Sequence, residues 1–511
     1  MSEVAKMEAP ARGRGSLLRS TLALSSGRAL AYAAGFFVPI ILVRRMSPGE
    51  FGEYKQAFLL AETLFFIAQL GLATSLYYFV PRDPARSGRY VGNALVLLAA
   101  AAALVGIPLA FGGPLVDWLF SGSAVAGLVL PVAFYLGLMI VAAPLEIVMI
   151  ARHRIRAASW SYALSDALRA GLLLLPALLT GELRYVLYGA IAFAAARVVA
   201  TLLYVRRELG GGLALDASLA RAQLAYSLPF ALAVVLATAQ LKLHELVVSH
   251  SFDAATYAIY AVGCLQIPFI DFVASPASDV MMVRMAEALG AGRPEEARAS
   301  WFDAVSGLAL LFVPLVGLLI LCAPELIVLL FTPAYAASVP IFRLWSATIL
   351  FVPLLTDPAL RVYAETGFLA FANLIQLIVL ALAIGPFLAR FGLEGAVLAT
   401  ALAMLVGRAV ALVRVRRRLG ATGPVLPWRD LGLVALAAAL ALPIGWAAKA
   451  AAGKWALVAL AAGAIAYGGA YLLLVWRFRL APELAQLLRR ALARFIPPAS
   501  SATPASTEGR A

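Results

Sequence analysis

Apolar residues in this chain run in blocks of roughly 20, the length a helix needs to cross a bilayer core. Read with that window, the sequence predicts about fourteen spans. They fall near 20–43, 56–80, 91–112, 126–151, 157–180, 184–206, 224–249, 255–282, 303–323, 338–361, 367–388, 393–413, 431–451 and 455–476. The first block is too long for a cleaved signal peptide and reads as a helix that stays. Pro39, Pro144, Pro229, Pro268, Pro276 and Pro353 fall inside spans, where each removes a backbone hydrogen bond and permits a kink.

Composition agrees with the pattern. Of 511 residues, 63% are hydrophobic and 13% charged, about half the charge of a soluble domain. Too few polar groups remain to cover a water-facing surface. The positive charges then give orientation. With the N-terminus inside, cytoplasmic segments hold 28 lysines and arginines and outer segments hold 7, with Lys55 counted in an outer loop. Both termini are therefore expected in the cytoplasm. The net charge of +14 is accounted for by basic loops facing anionic headgroups of membrane lipids, with no need of nucleic acid.

The chain repeats itself at an offset of 203 to 211 residues. Tyr54 matches Tyr257. "PLVDWLF" (114–120) matches "ELIVLLF" (325–331). Pro131, Pro144 and Arg152 match Pro340, Pro353 and Arg361, "YVRREL" (204–209) matches "RVRRRL" (414–419), and Arg197 matches Arg408. An even six-span unit returns to the same side, so the copies are parallel. The expected organisation is a basic N-terminus (1–19), a first lobe (20–206) and a linker (207–223). A second lobe (224–418), two further helices (431–476), and an amphipathic segment with a polar tail (477–511) complete it.

Ionisable groups at membrane depth are costly unless they face protein or water. Thr238, Lys242, Glu245 and Ser249 form one stripe at helical spacing; Asp271, Ser275, Ser278 and Asp279 form another; Thr21, Ser25, Arg28 and Tyr32 a third. Glu62 shares a face with Gln69, and Arg343 with Asp357. Arg28, Glu62, Lys242, Glu245, Asp271, Asp279, Arg343 and Asp357 are the candidates for lining a wet cavity. Lys242 with Glu245, and Asp166 with Arg169, fit local ion pairs equally well. Glu146 also lies at membrane depth. Arg197 and Arg408, near helix ends, are expected to snorkel. Asp271 has no local partner and is the candidate contact for substrate or a coupling ion. Arg28 suits a phosphate or pyrophosphate.

Other chemistry finds no support. Cys264 and Cys322 lie in apolar runs, His153, His244 and His250 lack metal-ligand spacing, and no phosphate-binding glycine loop or cofactor motif is present. Glu50 and Glu53 beside Gly52 are a weak signal for a membrane glycosyltransferase.

"RRMSPGEFGEYKQAFLL", then "YAIYAVGCLQIPF" and "APELIVLLFTPAYAASVPIFRLW", resemble the polysaccharide-transporter branch of the multidrug/oligosaccharidyl-lipid/polysaccharide exporter superfamily. The resemblance covers about residues 20–480. It implies an all-α fold of two six-helix lobes in a V, with the first, second, seventh and eighth helices lining the cavity. It also implies a flippase, not an enzyme, in a bacterial inner membrane. The implied substrate is an undecaprenyl-pyrophosphate-linked oligosaccharide, an O-antigen or exopolysaccharide repeat unit. H+ or Na+ is the possible coupling ion, and polysaccharide polymerase and export machinery the possible partners. A lipid II flippase is an alternative, disfavoured by Arg28 being the clear cavity arginine. A drug antiporter is another, disfavoured by the extra C-terminal pair.

Overall fold

A computed structural model describes residues 36–120, 123–209, 215–420, 424–453 and 455–478. It is all-α: in lipid every backbone amide needs an internal partner, and helices supply one locally. Among the described residues ten helices are long and apolar enough to cross a membrane, or up to twelve if two bent pairs are each one span, with the 53-residue helix Thr366–Arg418 counted once. The first predicted span lies largely outside the described residues.

In chain order the first lobe contains α1 (Pro48–Ala68), α2 (Leu72–Arg82), α3 (Ser87–Ala110), α4 (Gly113–Leu119), α5 (Val129–Ala142), α6 (Leu145–Ala151), α7 (Ile155–Thr180) and α8 (Leu183–Leu209). The second contains α9 (Ala217–Ser251), α10 (Ala254–Gly263), α11 (Pro268–Gly290), α12 (Pro294–Phe331), α13 (Ser338–Ala347), α14 (Thr356–Val362) and α15 (Thr366–Arg418). Helices α16 (Trp428–Ala451) and α17 (Ala456–Phe478) follow.

The 53-residue α15 is two spans. Gly392 has φ 60° and ψ −142°, which breaks the helix. Beyond it the chain doubles back: a Cβ on Gly395 would lie 2.0 Å from the Phe387 carbonyl oxygen, and one on Gly407 2.6 Å from Gln376. The two halves are antiparallel neighbours.

Local signals set the other boundaries. Ser47 caps α1 and Glu50 closes the capping box, so Glu50 serves the helix start rather than any catalytic pair. The same cap starts the helix eight residues before the predicted limit and draws Lys55 out of the outer loop. Asp253 caps α10 equivalently through Thr256. The second and eighth predicted spans are each broken: α1 and α2 bend by 40° across Gln69–Gly71, and α10 and α11 by 44° before Pro268. Pro144 and Pro353 also mark breaks, whereas Pro229 and Pro276 sit within continuous helices.

The lobes meet where α1 packs along α10. A Cβ on Gly52 would lie 1.8 Å from the Ala254 carbonyl oxygen, so only glycine permits this approach. Two further contacts cross there. Arg44 donates to the carbonyl of Leu329, at the end of α12. His250, at the end of α9, bonds the carbonyl of Trp118 at 3.0 Å. Trp118 and Leu329 are matching positions of the repeat, 211 residues apart.

Helices α16 and α17 pair with each other and dock on α12. Tyr471 donates to the Leu310 carbonyl at 2.7 Å, and Lys449 pairs with Glu325 at 2.7 Å. Exposed Trp428 and Trp446 lie 18 residues apart on α16; Trp455 and Trp476 bracket α17 by 21. At ~1.5 Å per residue these intervals are about 27 and 32 Å, matching a ~30 Å hydrocarbon core with aromatics at its two interfaces. This is a multi-pass membrane protein.

Candidate functional site

The larger cavity, 750 Å³, lies between the lobes, walled by α1, α7, α9 and the α10–α11 break. Six charged side chains line it: Lys55 and Glu62 from α1, Asp166 and Arg169 from α7, Lys242 and Glu245 from α9. Three are cationic and three anionic, so the wall is charge-balanced.

Lys242 is the junction. Its Nζ lies 3.1 Å from Glu62 Oε2 across the lobe interface and 3.7 Å from Glu245 Oε1 one turn along its own helix. Tyr257 Oη donates to Glu245 at 3.4 Å. Lys242 is thus both a local partner and a cross-lobe strap. Asp166 and Arg169 pair at 3.5 Å. Lys55 alone among the described cavity cations lies beyond ion-pair distance of any described carboxylate; its ammonium sits 5.7 Å over the Phe51 ring.

The stripe on α9 divides by environment. Lys242 and Glu245 reach the cavity, while Thr238 and Ser249 are buried. Gln69 turns its amide onto the Phe65 carbonyl at 3.2 Å, where α1 ends, and does not join Glu62. Asp271 and Asp279 are exposed and line neither described cavity. Asp271 falls in the first turn of α11, because the helix breaks before Pro268; the positive end of that helix supplies the local stabilisation that a continuous span would lack. Arg343 is also exposed, donating to the Ile320 carbonyl at 3.2 Å. It does not share a face with Asp357: the span between them tightens to a 3₁₀ stretch, and the helix is interrupted at Leu355, φ 45°. Arg28 lies outside the described residues.

The structure corrects the reading of Arg197 and Arg408, which do not snorkel. Arg197 holds Glu146 through both guanidinium nitrogens, at 2.9 and 2.8 Å, with Ser165 and Ser161 completing the network. Arg408 holds Asp357 at 2.6 Å and Thr356 at 2.7 Å.

A second cavity of 250 Å³ lies inside the second lobe, reached by Gln240 and His244 of α9, Trp345 of α13, and Asn373, Gln376 and Thr400 of α15. The Asp357–Arg408 pair forms part of its wall, and Gln266 lines both cavities.

Residues 17–267 match the polysaccharide biosynthesis protein family. That stretch is just under half of the chain, and the fold as a whole is similar to that of transporters of the multidrug/oligosaccharidyl-lipid/polysaccharide exporter superfamily. Three solved structures illustrate the likeness. A lipid II flippase MurJ in an inward closed conformation superposes with TM-score 0.69 at 14% identity, over 88% of this chain and 99% of its own. An inward-facing multidrug resistance MATE family transporter gives 0.56 at 15%, over 78% and 94%. A superfamily transporter from Pyrococcus furiosus gives 0.53 at 13%, over 79% and 95%. No curated protein sequence matches the chain.

Sequence reasoning passed over Lys55, assigned to a loop, and left Asp166 and Arg169 open between a cavity role and a local ion pair. Lys55, Arg169 and Lys242 make three described cavity cations, so Arg28 is not the sole arginine candidate and the argument it carried against a lipid II substrate weakens.

Proposed function

We propose that this membrane protein is a flippase of the multidrug/oligosaccharidyl-lipid/polysaccharide exporter superfamily that carries an undecaprenyl-pyrophosphate-linked oligosaccharide, an O-antigen or exopolysaccharide repeat unit, across a bacterial inner membrane by alternating access. The observation that carries the reading is the cavity between the lobes, lined by charged side chains at membrane depth, with Lys55 unengaged by carboxylate. A pyrophosphate needs a cation that is not already neutralised, and the polyprenyl tail needs only the surrounding lipid. The family's description as polysaccharide biosynthesis protein favours a glycan cargo. The distribution of basic residues supports a cytoplasmic position for both termini. The packed α1–α10 end then faces outward.

Without ATP machinery, direction comes from the substrate gradient, the membrane potential or a coupled H+ or Na+. A polymerase and export apparatus would consume the flipped product. Lys242, Glu62 and Glu245 form the cross-lobe strap that must rearrange as the lobes rock.

The test is a deletion strain in the native background. Lipid-linked oligosaccharide should accumulate on the cytoplasmic leaflet and surface glycan should vanish. Wild-type protein should restore both, and Lys55→Ala or Lys242→Ala should not. Unchanged surface glycan with new sensitivity to cationic drugs would replace this reading with an antiporter. Arrested peptidoglycan synthesis would replace it with a lipid II flippase.

A further inference from the structure

The cavity inside the second lobe has a wall of a different kind. Four carboxamides, Gln240, Gln266, Asn373 and Gln376, face it, and none hydrogen-bonds to a protein group among the described residues. Each offers two donors and a carbonyl acceptor. Carboxamides without partners are expensive at membrane depth. Gln240, Asn373 and Gln376 are half-buried and Gln266 is exposed at the mouth they share with the first cavity, so their gathering around one 250 Å³ space favours an occupant that hydrogen-bonds. The volume far exceeds the ~10–15 Å³ that a single water requires.

The charges in the wall narrow the chemistry. Asp357 is committed to Arg408 at 2.6 Å and to Thr356 at 3.1 Å. The carboxylate in the wall is already neutralised by Arg408, and that guanidinium beside the space repels a cation. Among the described residues no group of three His, Cys, Asp or Glu could hold a metal ion. An anion would be drawn instead to Lys55 in the neighbouring cavity. What remains is a neutral, hydroxyl-rich group of ring size. Carboxamides suit hydroxyls because they both donate and accept, and Trp345 offers an aromatic face beside them.

We propose that this second-lobe cavity is a sugar subsite, in which Asn373 and Gln376 of α15, with Gln240 of α9, read part of the glycan. Gln266, lining both cavities, joins it to the space where Lys55 takes the pyrophosphate. The inference rests on the flippase reading and adds where the glycan is recognised.

The test uses two probes: the undecaprenyl-pyrophosphoryl oligosaccharide purified from the deletion strain, and the undecaprenyl pyrophosphate left when its glycan is removed. Binding of each to the full-length protein in lipid nanodiscs is measured. Wild type should bind the glycan-bearing lipid about tenfold more tightly, as two or so well-made neutral hydrogen bonds would give. Asn373→Leu with Gln376→Leu should erase that preference while leaving the bare-lipid affinity unchanged, which also reports a folded protein. Gln240→Leu, on a different helix, should reduce the preference in the same direction. Equal binding of the two probes by wild type, or equal loss of both in the variants, overturns the subsite while leaving the flippase reading intact. Thermal stabilisation by sodium chloride over potassium chloride, lost in Asn373→Leu/Gln376→Leu, would make it a cation site and overturn it too. If the deletion strain accumulates no such lipid, or wild type binds neither probe, the flippase reading falls and the subsite with it.

Discussion

Arg197 grips Glu146 by both guanidinium nitrogens, and the repeat makes the contact again 211 residues later between Arg408 and Asp357. In each lobe the acid follows a helix break, after Ala142 in the first and at Leu355 in the second. The arginine comes from the lobe's last helical segment, and the pair pins the short helix beyond the break. The two copies differ in solvation. The Arg197 and Glu146 side chains are 13% and 4% exposed, the Arg408 and Asp357 side chains 28% and 36%. Stranding Glu146 should therefore cost more than stranding Asp357. Arg197→Met is expected to destabilise by about 3 kcal/mol or more, the cost of an unpaired buried charge. Arg408→Met should cost roughly 1 kcal/mol, nearer the figure for an exposed pair. Adding Glu146→Gln to Arg197→Met should recover most of the loss. Denaturant unfolding in detergent micelles checks the order; equal costs would contradict it.

Much of this was legible from residue numbers. Spans, lobes and the duplication follow from apolar block length and from matches such as Tyr54 with Tyr257. The ion pairs were within reach too: Glu146 and Arg197 each recur at the same offset with charge kept, a sign that they act together. What the pattern does not reveal is curvature. A stripe argument assumes an unbroken helix, and it fails where a 3₁₀ stretch through Pro353 and the left-handed Leu355 interrupt the helix between Arg343 and Asp357. Hydropathy windows likewise hide Lys55, because a cavity-facing cation at a helix start resembles a loop. Asp271 misled for the same reason, since its helix begins three residues before it.

Glu365 joins Arg414 and Arg418 at the end of α15. In the first lobe Arg154 meets Glu208 at 3.5 Å from the matching positions, with the signs exchanged. A contact preserved while its charges swap indicates that the link itself is what both lobes need. Hydrogen bonds from Arg414, and then Arg418, hold the Glu365 carboxyl below its ordinary value. A lowered folded-state value gives stability that is complete above the unfolded carboxyl's ~4.3 and is lost as pH falls through the folded value. Wild type should therefore lose stability between about pH 4 and lower, and Glu365→Gln should be less stable at pH 7 with a shallower acid limb. Thermal unfolding in detergent across that range measures both. An acid limb unchanged by the substitution would show that other carboxylates govern it.

The C-terminal pair depends on a gap at Gly317. A Cβ there would meet the Tyr467 hydroxyl at 2.2 Å, and Tyr467 is buried against α12. Gly317→Leu should push α17 away, exposing Cys322, which is buried beside that contact. Labelling with a lipid-soluble maleimide should rise several-fold at Cys322, with Cys264→Ser removing the other thiol. Unchanged labelling would mean that α12 yields instead of α17.

The closest approach of the lobes gives the sharpest prediction. Gly52 leaves no room for a side chain against the Ala254 carbonyl, and Arg44 with His250 fasten the same end from the two halves of the repeat. Cys264 lines the cavity just behind this closure. In a Cys322→Ser background, a membrane-impermeant maleimide added from the side of residues 44–47 should leave Cys264 unlabelled. Gly52→Val prevents the closure sterically and should make Cys264 reactive from that side. Arg44→Ala removes one fastening and should raise labelling partially, with less effect because the α1–α10 contact survives. Gly52→Val should also abolish transport, since a lobe interface that cannot close cannot alternate. Reagent added from the opposite side controls for unfolding, which would expose Cys264 from both sides at once. If Gly52→Val leaves Cys264 protected, the α1–α10 contact is not the seal and the closure lies elsewhere along the interface.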